Sequence, residues 1–229
     1  MTGGAGASPP GRRVLLAGAT GLVGSELLRR LLADPSVARV VAIARRPLGE
    51  RSGRLEPRIV DFEHLDQARD AFAVEQVFCA LGTTIRQAGS RERFRRVDFD
   101  YAVEIGRLAR EQGARHYLLV SAVGATATSR IFYNRVKGEL EDAVRGLGYP
   151  SLTIARPSLL LGDRGEWRMG EEIGKWLGWL LPGRLRPVEA SDVAAALVDA
   201  ARADAPGMRI IESEEIRRRA RARPADESR

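Results

Sequence analysis

Arg13-Val14-Leu15-Leu16-Ala17-Gly18-Ala19-Thr20-Gly21-Leu22-Val23-Gly24 is an apolar run that breaks at a glycine and resumes with apolar residues at helical spacing. Arg13 to Ala17 has no polar alternation, which predicts a strand buried on both faces. Leu22 to Ala33 predicts a helix, with Pro35 as its stop. Between them stand Gly18, Gly21 and Gly24. In a strand–turn–helix context, three such glycines have separate uses. One permits the tight turn, one lets backbone approach a pyrophosphate, and one lets the helix pack closely on the strand. The helix end adds free N–H groups and the positive end of a dipole. Gly18, Thr20, Gly21, Leu22, Val23 and Gly24 therefore read as a dinucleotide phosphate loop. The plainer alternative, a glycine-rich turn without a ligand, does not require this placement.

Outward from this stretch the pattern repeats. Strands are expected at Val37 to Ala44, Arg58 to Phe62, Gln76 to Leu81, His116 to Ser121 and Ser151 to Ala155. Helices are expected at Leu65 to Phe72, Arg91 to Gln112 and Phe132 to Arg145. Strands that alternate with helices and are apolar throughout predict a parallel sheet covered on both faces. The expected fold class is α/β: a Rossmann-type, doubly wound parallel sheet with a small C-terminal substrate lobe. After Pro157 the pattern loosens. Trp167, Trp176 and Trp179 fall in one segment, read as packing first and as an apolar lid second. Ser191-Asp192 then opens an alanine-rich helix, and Met208 to Ile211 reads as a last strand. The expected organisation is a disordered lead over 1–11, one nucleotide-binding domain over 12–216 and a basic, disordered tail over 217–229. Residues 157–190 form the substrate side of that domain.

The chain has 229 residues, 44% of them hydrophobic, which suits one domain with a full core. No apolar run is long enough to span a bilayer, and the first residues lack the pattern of a signal peptide. Cys79 is the single cysteine; with only His64 and His116 beside it, no metal motif is visible. Cys79 reads as a core residue, His116 as structural, and His64 as a helix-start or surface residue. Glu171-Glu172 read as a solvated face. A lone thiol points to a reducing, cytoplasmic compartment. The formal net charge is +7, with one basic cluster at Arg217 to Arg223. No zinc-finger, RNA-recognition or OB-type signature accompanies it, so nucleic acid is not the expected partner. Lysine occurs only at Lys137 and Lys175 among 37 basic residues, and with abundant alanine this suggests a GC-rich bacterial genome.

Two further places carry chemistry. At the end of the second strand, where an acidic residue would bind the 2′-hydroxyl of NAD, the chain reads Ala44-Arg45-Arg46. Guanidinium groups pair with a 2′-phosphate and a carboxylate would repel it, so the expected cofactor is NADP(H) before NAD(H). Tyr133 and Lys137 stand four residues apart, on one face of a helix. An ammonium beside the phenol favours proton exchange with a substrate oxygen. Ser121 closes the fifth strand at the sheet edge where ligands of such folds bind. The alternative, an ordinary surface Tyr–Lys pair, leaves the glycine loop and Ser121 unexplained.

Together these residues resemble the short-chain dehydrogenase/reductase superfamily, in its extended and atypical branches. The similarity runs from about Arg12 to the C-terminal helix, through Gly18-x-x-Gly21-x-x-Gly24, Val60-Asp61-Phe62, Ser121, Tyr133-x-x-x-Lys137 and Arg156-Pro157. More narrowly, the chain is similar to the Tat-interacting-protein-like oxidoreductases. The supporting stretches are Val60 to Leu65, Cys79 to Thr84, Arg96 to Tyr101 and Val136 to Glu139. The resemblance implies that Tyr133 is the general acid/base, and that Lys137 holds the nicotinamide ribose and tunes Tyr133. Ser121 would orient the substrate oxygen. Asp61 and Phe62 would flank the adenine, and Ala80, Leu81, Gly82 and Thr83 would line the cofactor. The turn after Arg156-Pro157 would close over the nicotinamide. The implied reaction is hydride transfer to or from a small carbonyl/alcohol substrate. A sugar-nucleotide epimerase or dehydratase and an NADP(H)-sensing regulator acting through a protein partner are the alternatives. A homodimer through the long helices around Asp98 and Lys137 is a further expectation. One position departs from the pattern. Many members carry Val-Asn where this chain has Val97-Asp98, and a carboxylate donates no amide hydrogen bond.

Overall fold

The computed structural model describes residues 11–161 and 186–222. The strands are β1 (Arg12–Ala17), β2 (Val37–Ala44), β3 (Leu55–Ile59), β4 (Gln76–Cys79), β5 (His116–Val120), β6 (Ser151–Arg156), β7 (Leu160–Leu161), β8 (Val188–Glu189) and β9 (Gly207–Glu212). The helices are α1 (Leu22–Ala33), α2 (Ile85–Ala88), α3 (Arg91–Arg95), α4 (Tyr101–Glu111), α5 (Phe132–Gly146), α6 (Ala190–Ala203) and α7 (Ser213–Ala222). Seven strands form one parallel sheet in the order β3-β2-β1-β4-β5-β6-β9. β7 and β8 form a separate parallel pair.

The apolar character of β1 follows from its place. Val14 and Leu16 pack under α1 and α6, with Leu27, Leu31, Val193 and Leu197. Leu15 and Ala17 point the other way, into a core with Phe72, Ile105, Leu108, Leu140 and Val144. Burial on both faces leaves no room for a polar alternate. The chain winds outward from β1 to β3 on one side and from β4 to β9 on the other. The order therefore reverses between β1 and β4, and a crevice opens there at the carboxyl ends of the strands.

Several expected boundaries move. β3 runs Leu55–Ile59, upstream of the expected Arg58 to Phe62. It is an edge strand, with Leu55 paired to Val40 and Pro57 to Ala42. An edge tolerates a residue without an N–H. Leu65–Phe72 is a 3₁₀ rather than an α-helix, kinked at Ala68. A 3₁₀ path rises about 2 Å per residue against about 1.5 Å for an α-helix, so the same residues reach farther towards β4. The long helix expected at Arg91 to Gln112 is one continuous rod with a π turn, Arg96–Asp100, between α3 and α4. β4 and β5 stop at Cys79 and Val120, which leaves Ala80 to Thr83 and Ser121 just beyond the strand ends. Arg217 to Arg221, expected in the tail, lie in α7, which buries Ile216. The tryptophan-rich segment, Glu171-Glu172 and most of the lead and tail lie outside the described residues.

Candidate functional site

The glycine loop crosses the β1/β4 crevice. Gly18 adopts φ +88°, a left-handed conformation. A Cβ there would stand 2.5 Å from the Ala80 carbonyl oxygen. A Cβ on Gly24 would stand 1.9 Å from the Gly18 carbonyl oxygen, so the first turn of α1 lies directly on the loop. Gly21 caps α1 through backbone alone; no side chain caps that end and no acidic residue sits in its first turn. A helix end without a side-chain cap, entered through a glycine-bearing loop, fits a pyrophosphate. Arg45 and Arg46 follow β2, both exposed.

Asp61 and Phe62 follow β3, where Val60 N–H still donates to the Ala44 carbonyl (3.0 Å). Phe62 is buried against Tyr101, ring centroids 5.3 Å apart. Tyr101 donates to Glu63, which also pairs with Arg96. Asp61 is exposed and takes a hydrogen bond from His64 Nδ1 at 2.9 Å and one from Glu63 N–H at 2.9 Å. These bonds hold Asp61 below the usual carboxylate range, and the same carboxylate raises His64.

Tyr133 and Lys137 occupy consecutive turns at the start of α5. Tyr133 packs on Phe94, centroids 5.6 Å apart. Lys137 is 3% exposed and its Nζ lies 2.7 Å from Asp98 Oδ1. Asp98 Oδ2 accepts the Thr83 N–H at 2.8 Å. The π turn aims Asp98 inward, so this carboxylate links α5 to the loop after β4. Burial would push the Lys137 ammonium down; Asp98, helped by Tyr133, outweighs it and holds Lys137 above the usual lysine range. The Cys79 thiol at the end of β4 is pushed up by burial and stays neutral.

Ser121 does not share this cluster's partners. It is buried, and its Oγ donates to Glu141 Oε1 at 2.5 Å. Arg156 grips Glu141 with two bonds, Nε to Oε1 at 3.0 Å and Nη2 to Oε2 at 2.5 Å, and reaches Glu212 with Nη1 at 3.0 Å. The one hydroxyl proton of Ser121 is thus directed at a carboxylate. Pro157 is buried, and its carbonyl accepts Val123 N–H at 2.9 Å. Sequence reading misses Glu141. The available signal is its spacing, one turn beyond Lys137 and two beyond Tyr133 on the same face. A cavity of about 340 Å³ opens beside these residues, lined by Val123, Gly124, Arg156, Glu212, Ser213 and Glu214. Among the described residues no group of His, Cys, Asp and Glu is arranged to hold a metal, and no helix is long and apolar enough to cross a membrane.

A glycine loop on an uncapped helix end, set in the crevice of a doubly wound parallel sheet, defines a Rossmann-type dinucleotide-binding protein. The chain belongs to the NAD(P)H-binding family, whose model matches residues 18–204. It is 39% identical over 196 residues to Protein HTATIP2 of Rattus norvegicus, covering 84% of this chain and 79% of the relative. It is 34% identical over 197 residues to Protein FMP52, mitochondrial, of Candida albicans, covering 80% of this chain and 84% of the relative. Among solved structures, MoeE5 in complex with UDP-glucose and NAD matches with a TM-score of 0.67 at 18% identity, over 87% of this chain and 75% of that one. These similarities make the chain an NAD(P)H-binding protein, and the likeness to MoeE5 shows the fold it shares. They also correct one expectation. Fungal relatives are named mitochondrial, which overturns the cytoplasmic assignment drawn from a lone cysteine. The relatives come from a mammal and from fungi, which gives the bacterial reading no support.

Proposed function

We propose that the chain is an NADP(H)-dependent oxidoreductase acting on a small carbonyl/alcohol pair, with Tyr133 as general acid/base. The observation that carries this reading is the Tyr133–Lys137 pair on α5, tied through Asp98 to the loop after β4. NADP(H), when bound, supplies or accepts the hydride at C4 of its nicotinamide. The residues of the chain hold it and manage the proton. Gly18, Thr20, Gly21, Leu22, Val23 and Gly24 take the pyrophosphate, and Arg45 and Arg46 take the 2′-phosphate. Asp61 and Phe62 border the adenine. Ala80, Leu81, Gly82 and Thr83 line the path towards Lys137, which holds the ribose. Tyr133 gives a proton to the substrate oxygen in reduction and takes one in oxidation. Ser121 orients that oxygen by turning its hydroxyl proton from Glu141 to the substrate. The turn after Arg156-Pro157 closes over the nicotinamide.

The testing experiment is a fluorescence titration with NADPH and, separately, NADH, followed by a carbonyl screen. NADPH is expected to bind at least about tenfold tighter, roughly 1.4 kcal/mol. Replacing both Arg45 and Arg46 by Ala should remove most of that margin while leaving NADH binding in place. Tyr133→Phe should keep cofactor binding and lower turnover by about a hundredfold or more. Equal affinity for the two cofactors would end the NADP assignment, and full turnover in Tyr133→Phe would end the role of Tyr133.

A further inference from the structure

An ammonium and a carboxylate meet at 2.7 Å in the interior of this site, both almost wholly out of solvent. The lysine stands one helical turn from the tyrosine proposed to move the proton. Asp98 is brought there by the π turn, and its second oxygen is fixed by the Thr83 N–H. The remaining charged and titratable groups around the pair are accounted for on each neighbouring element. On β4, Cys79 is a buried neutral thiol. On β5, the Tyr117 hydroxyl donates to the Ala102 carbonyl. On α3, Arg95 is paired with Glu139 of α5, and Arg91 stands over the Phe132 ring. On α5, Arg135 stands over the same ring, and Glu141 is held by Arg156 of β6 and Ser121. Phe94 covers Tyr133 with an uncharged ring.

We propose that Asp98 is a charge-compensating, positioning residue: Lys137 reaches Tyr133 as half of a neutral buried pair. Lys137 then contributes a donor fixed in place, not an uncompensated cation drawing the proton off the phenol. The physics is direct. In a region of low dielectric a lone charge acts strongly over several ångströms, whereas an adjacent opposite charge cancels most of that field. The Thr83 bond adds a second effect. The same carboxylate that neutralises the lysine also sets the loop that lines the cofactor. The inference rests on the proposed role of Tyr133, but its readout does not require turnover.

The test is the ionisation of Tyr133 in the full-length chain, followed by the ultraviolet absorbance of tyrosinate. Subtracting a matched Tyr133→Phe protein in each background isolates the one phenol. In Asp98→Asn burial is no longer opposed by a carboxylate, so Lys137 keeps its charge only against the phenolate of Tyr133, and the Tyr133 equilibrium is expected to move about tenfold or more towards phenolate. In the double variant Asp98→Asn/Lys137→Met the pair is removed as a unit, and the equilibrium is expected within about threefold of the unaltered chain. An unchanged equilibrium in Asp98→Asn overturns the proposal. So does a double variant displaced about tenfold towards the phenol, because that is the signature of a cation acting alone. If Asp98→Asn does not fold, the double variant decides: folded with an unmoved Tyr133 supports compensation, and an unfolded or displaced one overturns it. A chain that titrates as expected yet turns over no carbonyl would count against the enzymatic reading and leave the compensation standing.

Discussion

At the scale of single residues, the site depends on atoms that are absent. The methyl group of Gly24→Ala would overlap the Gly18 carbonyl. Thermal unfolding should show a loss of about 1–3 kcal/mol, the range for overpacking a tight contact. NADPH affinity should fall by about tenfold or more in the fluorescence titration, because α1 must retreat from the loop. An unchanged affinity would mean that the loop does not hold the pyrophosphate. This part of the site is legible in sequence, since glycine spacing directly reports where side chains cannot be. The same holds for Tyr133 and Lys137, whose spacing fixes their shared face. Glu141 is legible only as a third member of the Tyr133–Lys137 face, and its burial is not. A glutamate on a helix reads as solvent-facing by default, and its burial depends on Arg156 arriving from β6. Nor does the sequence tell which way Ser121 turns its proton, since that is set by the same carboxylate.

At the scale of elements, the instructive case is the rod from α3 to α4. Its extent is legible from apolar spacing and the stop at Gly113, but its π turn is not. The extra residue in that turn shifts the facing of every later residue in the rod. Phe94 stays in the core before it, Ala102 and Ile105 after it, and Asp98 also turns inward. The irregularity is matched by a tertiary contact, the one with Lys137, so no local signal announces it. α5 shows a second element-scale constraint. A Cβ on Gly138 would stand 2.1 Å from the Thr126 carbonyl carbon, so the helix rests on the loop that leads from β5 to Tyr133. Gly138→Ala should therefore cost about 1–3 kcal/mol in denaturant unfolding. It should also weaken turnover more than cofactor binding, because the displaced loop borders the substrate side. Wild-type stability in that variant would show that the loop yields freely.

At the scale of the molecule, the sheet is readable from its apolar runs, while strand ends are not, because the ladder stops where neighbouring strands diverge. The C-terminal helix is hidden by its arginines. Its buried residues Ser213 and Ile216 and the Glu215 pairs with Arg209 and Arg219 give it a place that composition does not reveal. One pH response belongs to the whole fold. His116 ties β5 to Thr153 of β6 (2.9 Å) and to Asp204 after α6 (3.0 Å). Burial pushes its imidazole below the usual value, and Asp204 only partly opposes this. The unfolded chain then binds a proton that the folded chain refuses. The contribution is full above pH about 6.5 and is lost as pH falls through the depressed native value. Denaturant unfolding should show stability declining from pH about 7 to about 5, and His116→Gln should flatten that decline. A decline unaltered by the substitution would assign it to other groups. The edge strand β3 has a consequence for how copies of this chain meet. Val40 N–H bonds to the Arg54 carbonyl and Val60 N–H to the Ala44 carbonyl, so the backbone of the even-numbered residues faces β2 and that of Leu55, Pro57 and Ile59 faces outward. Proline thus removes the middle donor from the open side, although Ile59 is bare to solvent. An incoming strand finds an interrupted ladder there, and the fold is guarded against templated aggregation along its first edge.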